Sequence, residues 1–513
     1  MERRKPKKTA RSFMKIKKLF QDIPGILIKG AKDAKINGIC ADSRLIAPGN
    51  LFVAKKGRSH NGNRFILQAI AGGAVAVLTD IYNPFIKDTV QIIHSDVESI
   101  ESFLAARYFD FPSKKLFTIG VTGTNGKTTC AYLIKHIFDS LEEKCGLIGS
   151  IEYIIGSLHY PSTRTTPDVI SNNRMLKDMI KNSCKSAVME VSSHALDQNR
   201  VKDLTYDIAV FTNLSRDHLD YHQNMESYCT AKSKLLSFLG KKDLKQQSPI
   251  LTPSAVLNAD SEWTPNLLKD YKGDVLTYGI NRESDIRASK IFLNEGNAHF
   301  DVCFKGEKTP FSWPLIGRFN IYNCLAAIAC GLIKGARMEE LAEIIENFNI
   351  VPGRLEKVPN KLDIHIYVDY AHTENAMQNV LESLQEIKKN RIITIFGCGG
   401  DRDKGKRPKM GKVAENFSDL SIITSDNPRT ENPEDICSDI LKGFKNPSSP
   451  FIELDRKQAI EKAIDLAQED DIVLIAGKGH EKYQVFSRQT ISFDDSKIAS
   501  EICIQKYKKM CTM

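Results

Sequence analysis

Long apolar runs are missing from this chain of 513 residues. No stretch reaches the ~18 consecutive apolar residues that a membrane helix needs, which excludes a helical span. Paired cysteines are missing too. Twelve cysteines run from Cys40 to Cys511 without one C-x-x-C, which argues against a structural zinc site. They read as free thiols in a reducing cytoplasm, most of them small core residues. The body of the chain also lacks a charge excess of one sign. Lys and Arg number 72 against 63 Asp and Glu, a net of +9, but residues 1–18 hold +8 of it. Such an arm can bind nucleic acid or a membrane surface; a solvated tail is the simpler reading. No apolar segment follows it as a secretory signal would require. There is no internal repeat and no long low-complexity segment. With 42% hydrophobic and 26% charged residues, whole-chain disorder, collagen and a disulfide mini-protein are excluded.

What is present is alternating strand and helix patterning, in a length that suits about three domains. Residues 1–18 form the basic arm. Residues 19–108 alternate short apolar runs with turns, as a small α/β domain would. Residues 109–350 read as a central nucleotide-binding domain with a mostly parallel sheet. Its strands are LFTIGVTG (116–123), SAVMEV (186–191) and DIAVFTNL (207–214), with a helix from Thr128 to about Ser140. The more polar segment 240–310 reads as a peripheral extension. Residues 351–513 form a C-terminal Rossmann-like α/β unit with strands in IHIYVDYA, RIITIFGCGG, LSIITSD and DIVLIAGKG. Each apolar run ends in small or polar residues, where open α/β sheets bind ligands. The fold class is therefore α/β with three domains, and a cleft between the last two.

The strongest chemical signal is Gly120-Val-Thr-Gly-Thr-Asn-Gly-Lys-Thr-Thr129, set between a strand and a helix. Backbone N–H groups and the helix start can cradle phosphates there. Lys127 can reach the β/γ-phosphates and Thr128 can ligate Mg²⁺. The spacing departs from G-x-x-x-x-G-K-T, since position 121 is Val; a shorter G-x-x-G-K-T begins at Gly123. Glu190, ending the SAVMEV run, is well placed as a Mg²⁺ ligand. Asp217, His218, Asp220 and His222 crowd the stretch after the next strand, which favours a site over isolated structural side chains.

TGTNGKTT, EVSSHAL and NLSRDHLDYH, in that order, resemble the Mur ligase family, which joins amino acids to cell-wall precursors at the cost of ATP. GRFNIYNCLAA (317–327), VPGRLE (351–356), VDYAHTEN (368–375), GCGGDRDKGKRP (397–408), SDNPRTENP (425–433) and AGKGHEKYQ (476–484) extend the resemblance over about residues 38 to 485. The resemblance implies a cytoplasmic ligase that adds the third amino acid to UDP-N-acetylmuramoyl-L-alanyl-D-glutamate through an acyl phosphate. It implies ATP held by Gly123, Thr124, Asn125, Gly126, Lys127, Thr128 and Thr129, with Asn323 against the adenine and Asp369 near the ribose. A helix cap is the plain alternative for Asn323. Mg²⁺ would be served by Thr128, Glu190, His218 and a lysine carbamylated by CO₂. That lysine matches Lys232; Lys234 is the neighbour it could be confused with, and either could be a plain surface lysine. Lys127, Lys232 and His218 would be the catalytic set.

For the UDP-sugar dipeptide the match points to Ser43, Arg58, Ser59 and His60, then to Thr165, Thr166, Ser192, Gln198 and Arg200. Arg164 departs from the Asn of some relatives. For the incoming amino acid it points to Arg402, Asp426, Asn427, Pro428, Arg429, Gly477 and Glu481. Meso-diaminopimelate carries a carboxylate that L-lysine lacks, and the fork of Arg429 suits it. The expectation is therefore diaminopimelate, with L-lysine as the alternative. The reading expects a monomer with small-molecule substrates and no nucleic-acid partner. The competing class is a nucleic-acid-associated phosphate-loop NTPase, which explains the arm but not Lys232, DNPR or RTTPD.

Overall fold

The computed structural model describes residues 13–57, 61–240, 254–294, 296–348 and 351–512. Most of the basic arm, and Arg58, Ser59 and His60, lie outside them. Three separate α/β sheets organise the chain. The first has five strands in the order Leu27–Lys29, Val90–Ile93, Ala76–Thr79, Asn50–Val53, Gly38–Cys40, all parallel but the first. Val169 and Ile170 pack into its core from the middle domain's helix Val169–Lys181.

The second sheet has eleven strands. Its centre is Phe117–Thr122, flanked in parallel by Ser186–Glu190 on one side and Ile208–Phe211 on the other. The chain thus reverses its direction of growth across this strand, and the crevice at the carboxyl ends falls where the phosphate loop emerges. These strands are buried on both faces, so they read as continuous apolar runs. Helix Lys127–Ser140 follows the loop and packs against Arg318–Lys334.

Residues 254–313 extend the middle domain at one edge of its sheet. They add five strands, Ser254–Asn258, Asp274–Gly279, Ile286–Leu293, Ala298–Phe304 and Glu307–Trp313, to the same sheet. Tyr278, Ile286, Phe300, Val302 and Trp313 join the core of the phosphate-loop helix. The polar look comes from strands such as Ala298–Phe304, which bury alternate residues and leave the others towards water.

The third sheet runs Glu356–Val358, His365–Asp369, Ile472–Ala476, Ile392–Phe396, Leu420–Ile423, Phe451–Ile452, parallel except at its first strand. The loops after four of these strands share one edge. Ten of the twelve cysteines are buried and none is paired, as small core residues should be. Among the described residues no helix is long and apolar enough to cross a membrane.

Candidate active site

The phosphate loop is held from below by the neighbouring strand end. Asn213 grips the backbone of Asn125 with both ends of its amide: Asn125 N–H donates to Oδ1 at 2.9 Å and Nδ2 donates to Asn125 O at 3.1 Å. Thr212 Oγ1 donates to the same carbonyl at 2.6 Å. Gly126 has φ +83°, and a Cβ there would sit 2.2 Å from Asn323 Oδ1. Asn323 is therefore a buried mid-helix side chain pressed against the loop, not a cap. Gly126→Ala is expected to cost about 1–2 kcal/mol from the left-handed backbone alone. Its denaturation midpoint should fall and its KM for ATP rise; an unchanged pair of values would show the loop free to rearrange.

Lys127 Nζ donates to the loop's own carbonyls, Gly123 O at 3.0 Å and Thr124 O at 2.8 Å. Burial lowers its pKa, against the pull of Glu190 and Asp217. Thr128 Oγ1 donates to Glu190 Oε2 at 3.1 Å, and Thr129 is buried one residue on. Glu190 pairs in register with Val121, which sets its carboxylate beside the loop although 62 residues separate it from Thr128. Its side chain has no exposed surface and takes Ser150 N–H at 2.8 Å.

Lys232 and Lys234 part company. Helix Met225–Ser233 ends between them. Lys232 is 2% exposed, with Nζ 2.8 Å from Gly123 O and 4.7 Å from the Tyr228 ring centre. Burial, helped by the Lys127 charge, holds its pKa well below the ordinary lysine value. Lys234 lies towards solvent with Asp197 at 3.2 Å. A plain surface lysine therefore describes Lys234 alone. His218, in the left-handed region at φ 54°, lies 3.4 Å from Asp217, its ring 4.8 Å from that of His194.

The donors expected for the sugar dipeptide gather behind Glu190. Thr166 Oγ1 donates to Glu190 O at 2.8 Å and accepts from Ser192 N–H at 3.0 Å. Thr165 Oγ1 is 3.0 Å from Ser150 Oγ. Arg200 donates to Thr166 O at 3.1 Å and to Gln198 Oε1 at 3.0 Å. Ser43 stands apart, in the N-terminal domain, donating to Gln68 at 2.9 Å.

The C-terminal set forms a second nest. Asn427 Nδ2 donates to Glu481 Oε2 at 2.8 Å. Arg429 Nη1 donates to Gly400 O at 2.8 Å, and its N–H to Val485 O. Gly400 lies so close to Pro428 that a Cβ would fall 1.9 Å from its carbonyl. Gly477 faces Asp426 in the same way, and Arg402 is exposed nearby, donating to Asp401 O at 3.0 Å. The loops of Arg402 and Arg429 are tied by the buried Arg407, which donates to Glu431 at 2.9 Å and Asp439 at 3.0 Å. The Arg407 bond chiefly brings Glu431 from 4.5 down to about 2. The unfolded chain binds this proton more readily, so the stabilisation is full above pH 4.5 and is lost as the pH falls towards 2. A melting temperature that drops through this window, less steeply in Glu431→Gln, is the expected result.

Three residues that the sequence did not single out connect the sets. Arg354 Nη2 donates to Thr128 Oγ1 at 3.2 Å, with its guanidinium 4.7 Å from the Tyr370 ring centre. Asn375 Oδ1 is 3.3 Å from both Asn125 Nδ2 and Ser215 Oγ. Lys478 is fully buried between Asn427 and Glu481. The quoted segments VPGRLE, VDYAHTEN and AGKGHEKYQ contain all three. Asp369, buried with a raised pKa, spends its oxygens on Leu355 and Ala371 N–H and so holds the loop of Arg354 in place.

Comparison with known proteins fits this geometry. Three family models match in succession: the Mur ligase family, catalytic domain (residues 35–107), the Mur ligase middle domain (121–331) and the Mur ligase, glutamate ligase domain (353–479). A Chlamydia caviae protein named UDP-N-acetylmuramoyl-L-alanyl-D-glutamate–2,6-diaminopimelate ligase is 41% identical over 492 residues, covering 95% of this chain and 99% of that one. This chain belongs to the Mur ligase family. A ligase of the same name from Caldanaerobacter subterraneus is 39% identical over 482 residues, 94% of this chain and 97% of that one. A solved structure under that name has 31% identity and a TM-score of 0.69, covering 97% of this chain and all of the other. The MurF ligase of Thermotoga maritima, solved in complex with ADP, has 16% identity and a TM-score of 0.62 over 92% of this chain and 98% of that one, a likeness of fold. The three-domain α/β fold and ATP-dependent amide-bond formation come with the family.

Proposed function

We propose that this protein joins meso-2,6-diaminopimelate to the D-Glu carboxylate of UDP-N-acetylmuramoyl-L-alanyl-D-glutamate, releasing ADP and phosphate, in cytoplasmic synthesis of peptidoglycan precursors. The observation that carries the choice of amino acid is Arg429, anchored on Gly400 O in the loop whose Asn427 binds Glu481. A guanidinium and a carboxylate in one loop cluster suit an amino acid ending in both a carboxylate and an ammonium. L-Lysine would leave the Arg429 fork without its anion.

The chemistry starts from a weak electrophile. In this reading the D-Glu carboxylate attacks the γ-phosphorus of ATP in line, and phosphorylation turns it into an acyl phosphate with a good leaving group. Lys127 moves from its loop carbonyls to the phosphate oxygens. The diaminopimelate amine then attacks the acyl carbon, and the tetrahedral intermediate expels phosphate. Arg354 and Asn375, reaching from the C-terminal domain to the phosphate loop, bring the two half-sites together and exclude water, which would hydrolyse the acyl phosphate.

The donor set suits Mg²⁺, which prefers oxygen ligands: Thr128 Oγ1 and the sealed Glu190 carboxylate converge at 3.1 Å. Among the described residues no group of three His, Cys, Asp or Glu side chains gathers as a metal site. A carbamate on Lys232 would supply a further oxygen, in place of a cation, and His218 an outlying nitrogen. When bound, Mg²⁺ neutralises charge on the transferring phosphoryl group. The depressed pKa of Lys232 favours the neutral amine that CO₂ requires.

The test is phosphate release with ATP, Mg²⁺ and the UDP-sugar dipeptide, with diaminopimelate, L-lysine or no amino acid, and product mass read in parallel. Release and mass gain with diaminopimelate alone are expected. A preference for lysine would overturn the role of Arg429. Release stimulated only by DNA or RNA would overturn the ligase.

A further inference from the structure

All of the chain's net charge sits at one end. Residues 1–36 hold twelve Lys and Arg against Glu2, Asp22 and Asp33, a net of +9, and the rest of the chain carries 60 of each sign. Six of the twelve belong to the folded N-terminal domain. Lys15 pairs in register with Lys35 in a two-stranded ladder. Lys17 N–H donates to Lys32 O at 3.1 Å, which adds two more to the same corner. Lys18 and Lys29 complete the set, and all six residues are exposed. Among the described residues one acid pairs with them, Asp33 at 3.3 Å from Lys15.

An apolar surface adjoins these lysines. Leu27 and Lys29, two apart on the edge strand of the five-stranded sheet, point to the same side. The ammonium of Lys29 lies 5.9 Å from the centre of the Tyr82 ring. Tyr82 belongs to the loop between strands Ala76–Thr79 and Val90–Ile93, which exposes Ile81, Tyr82 and Phe85, the last to 90%. Hydrogen bonds fix this loop. The buried amide of Gln91, opposite Lys29 in the ladder, accepts from Asn83 N–H at 2.9 Å and donates to Asn83 O at 2.8 Å and Ile86 O at 3.0 Å. Apolar side chains are thus held out in water beside a patch of cations.

We propose that this corner of the N-terminal domain docks on an anionic lipid bilayer, with the basic arm adding to its charge. A membrane interface takes both features: lipid phosphates attract the lysines, and aromatic and aliphatic side chains settle at headgroup level. A nucleic acid would match the lysines but leave Ile81 and Leu27 with nothing to gain. The protein lies on the surface without crossing it.

The experiment is cosedimentation of the full-length protein with vesicles of phosphatidylglycerol and phosphatidylcholine in equal parts, against vesicles of phosphatidylcholine alone. Binding to the anionic vesicles only, weakened by salt, is expected. A triple variant, Lys29→Gln with Lys32→Gln and Lys35→Gln, should bind roughly 100-fold more weakly, at about fivefold per lysine. Phe85→Ser should lose about tenfold. The changed side chains are exposed, so melting temperature and the ligation rate without vesicles should match wild type. Wild-type affinity in either variant would overturn the proposal, as would no preference for the anionic vesicles. Binding to a single-stranded RNA in place of the vesicles would also overturn it and assign the patch to a nucleic acid.

Discussion

Lys232→Met protein should fold and yet ligate about 10³-fold more slowly than wild type, the scale expected when a preorganised charge is removed from a phosphoryl-transfer site. Methionine keeps the buried stem of the side chain and removes the amine. Lys234→Met, two residues on, should change activity less than twofold, because Lys234 makes a surface ion pair with Asp197. The useful contrast lies in CO₂ dependence. Wild-type activity should fall on CO₂ removal and return with bicarbonate, whereas the residual activity of Lys232→Met should ignore both. Equal damage from the two substitutions, or CO₂ dependence surviving in Lys232→Met, would remove Lys232 from the reaction.

Arg429→Ala should separate the two candidate amino acids. A charge-assisted hydrogen bond to a substrate carboxylate contributes about 1.5–3 kcal/mol, or roughly 10- to 150-fold in kcat/KM for diaminopimelate. For L-lysine, which lacks that carboxylate, kcat/KM should stay within about twofold. Arg429→Lys should recover only part of the loss, since an ammonium cannot reproduce the two-pronged fork. The alternative role is visible in the same structure: Arg429 also holds Gly400 O and Val485 O, and so props up its own loop. If that were its whole contribution, diaminopimelate and lysine would suffer equally.

These two predictions rest on different amounts of sequence information. DNPR is a contiguous loop, and the chemistry of a guanidinium can be read from its residue type. Lys232 and Lys234 are the same residue type two positions apart, one in the last turn of an α-helix and the other opening the 3₁₀ turn that follows. Nothing local says which face is inward. The burial of Tyr228, Cys229 and Ala231 on the same helix decides it, by packing that helix against the strands beneath the phosphate loop. The polar segment 254–313 depends on packing in a related way. Its outer positions face water, so average polarity hides strands whose alternate residues complete the largest core.

The sequence by itself determined what depends on neighbours along the chain. Strand, glycine loop and helix in one stretch define the phosphate site, and the ordered segments from TGTNGKTT to AGKGHEKYQ define the family, because backbone conformation and residue chemistry there are set within a few positions. Only the tertiary structure decided what depends on approach through space. Glu190 reaches the loop through the register of two parallel strands. Arg354 meets Thr128 across 226 residues, and Asn375 meets Asn125 across 250. Contacts of that length leave no periodicity or spacing in a single chain, since packing between sheets, rather than local conformation, brings their atoms together.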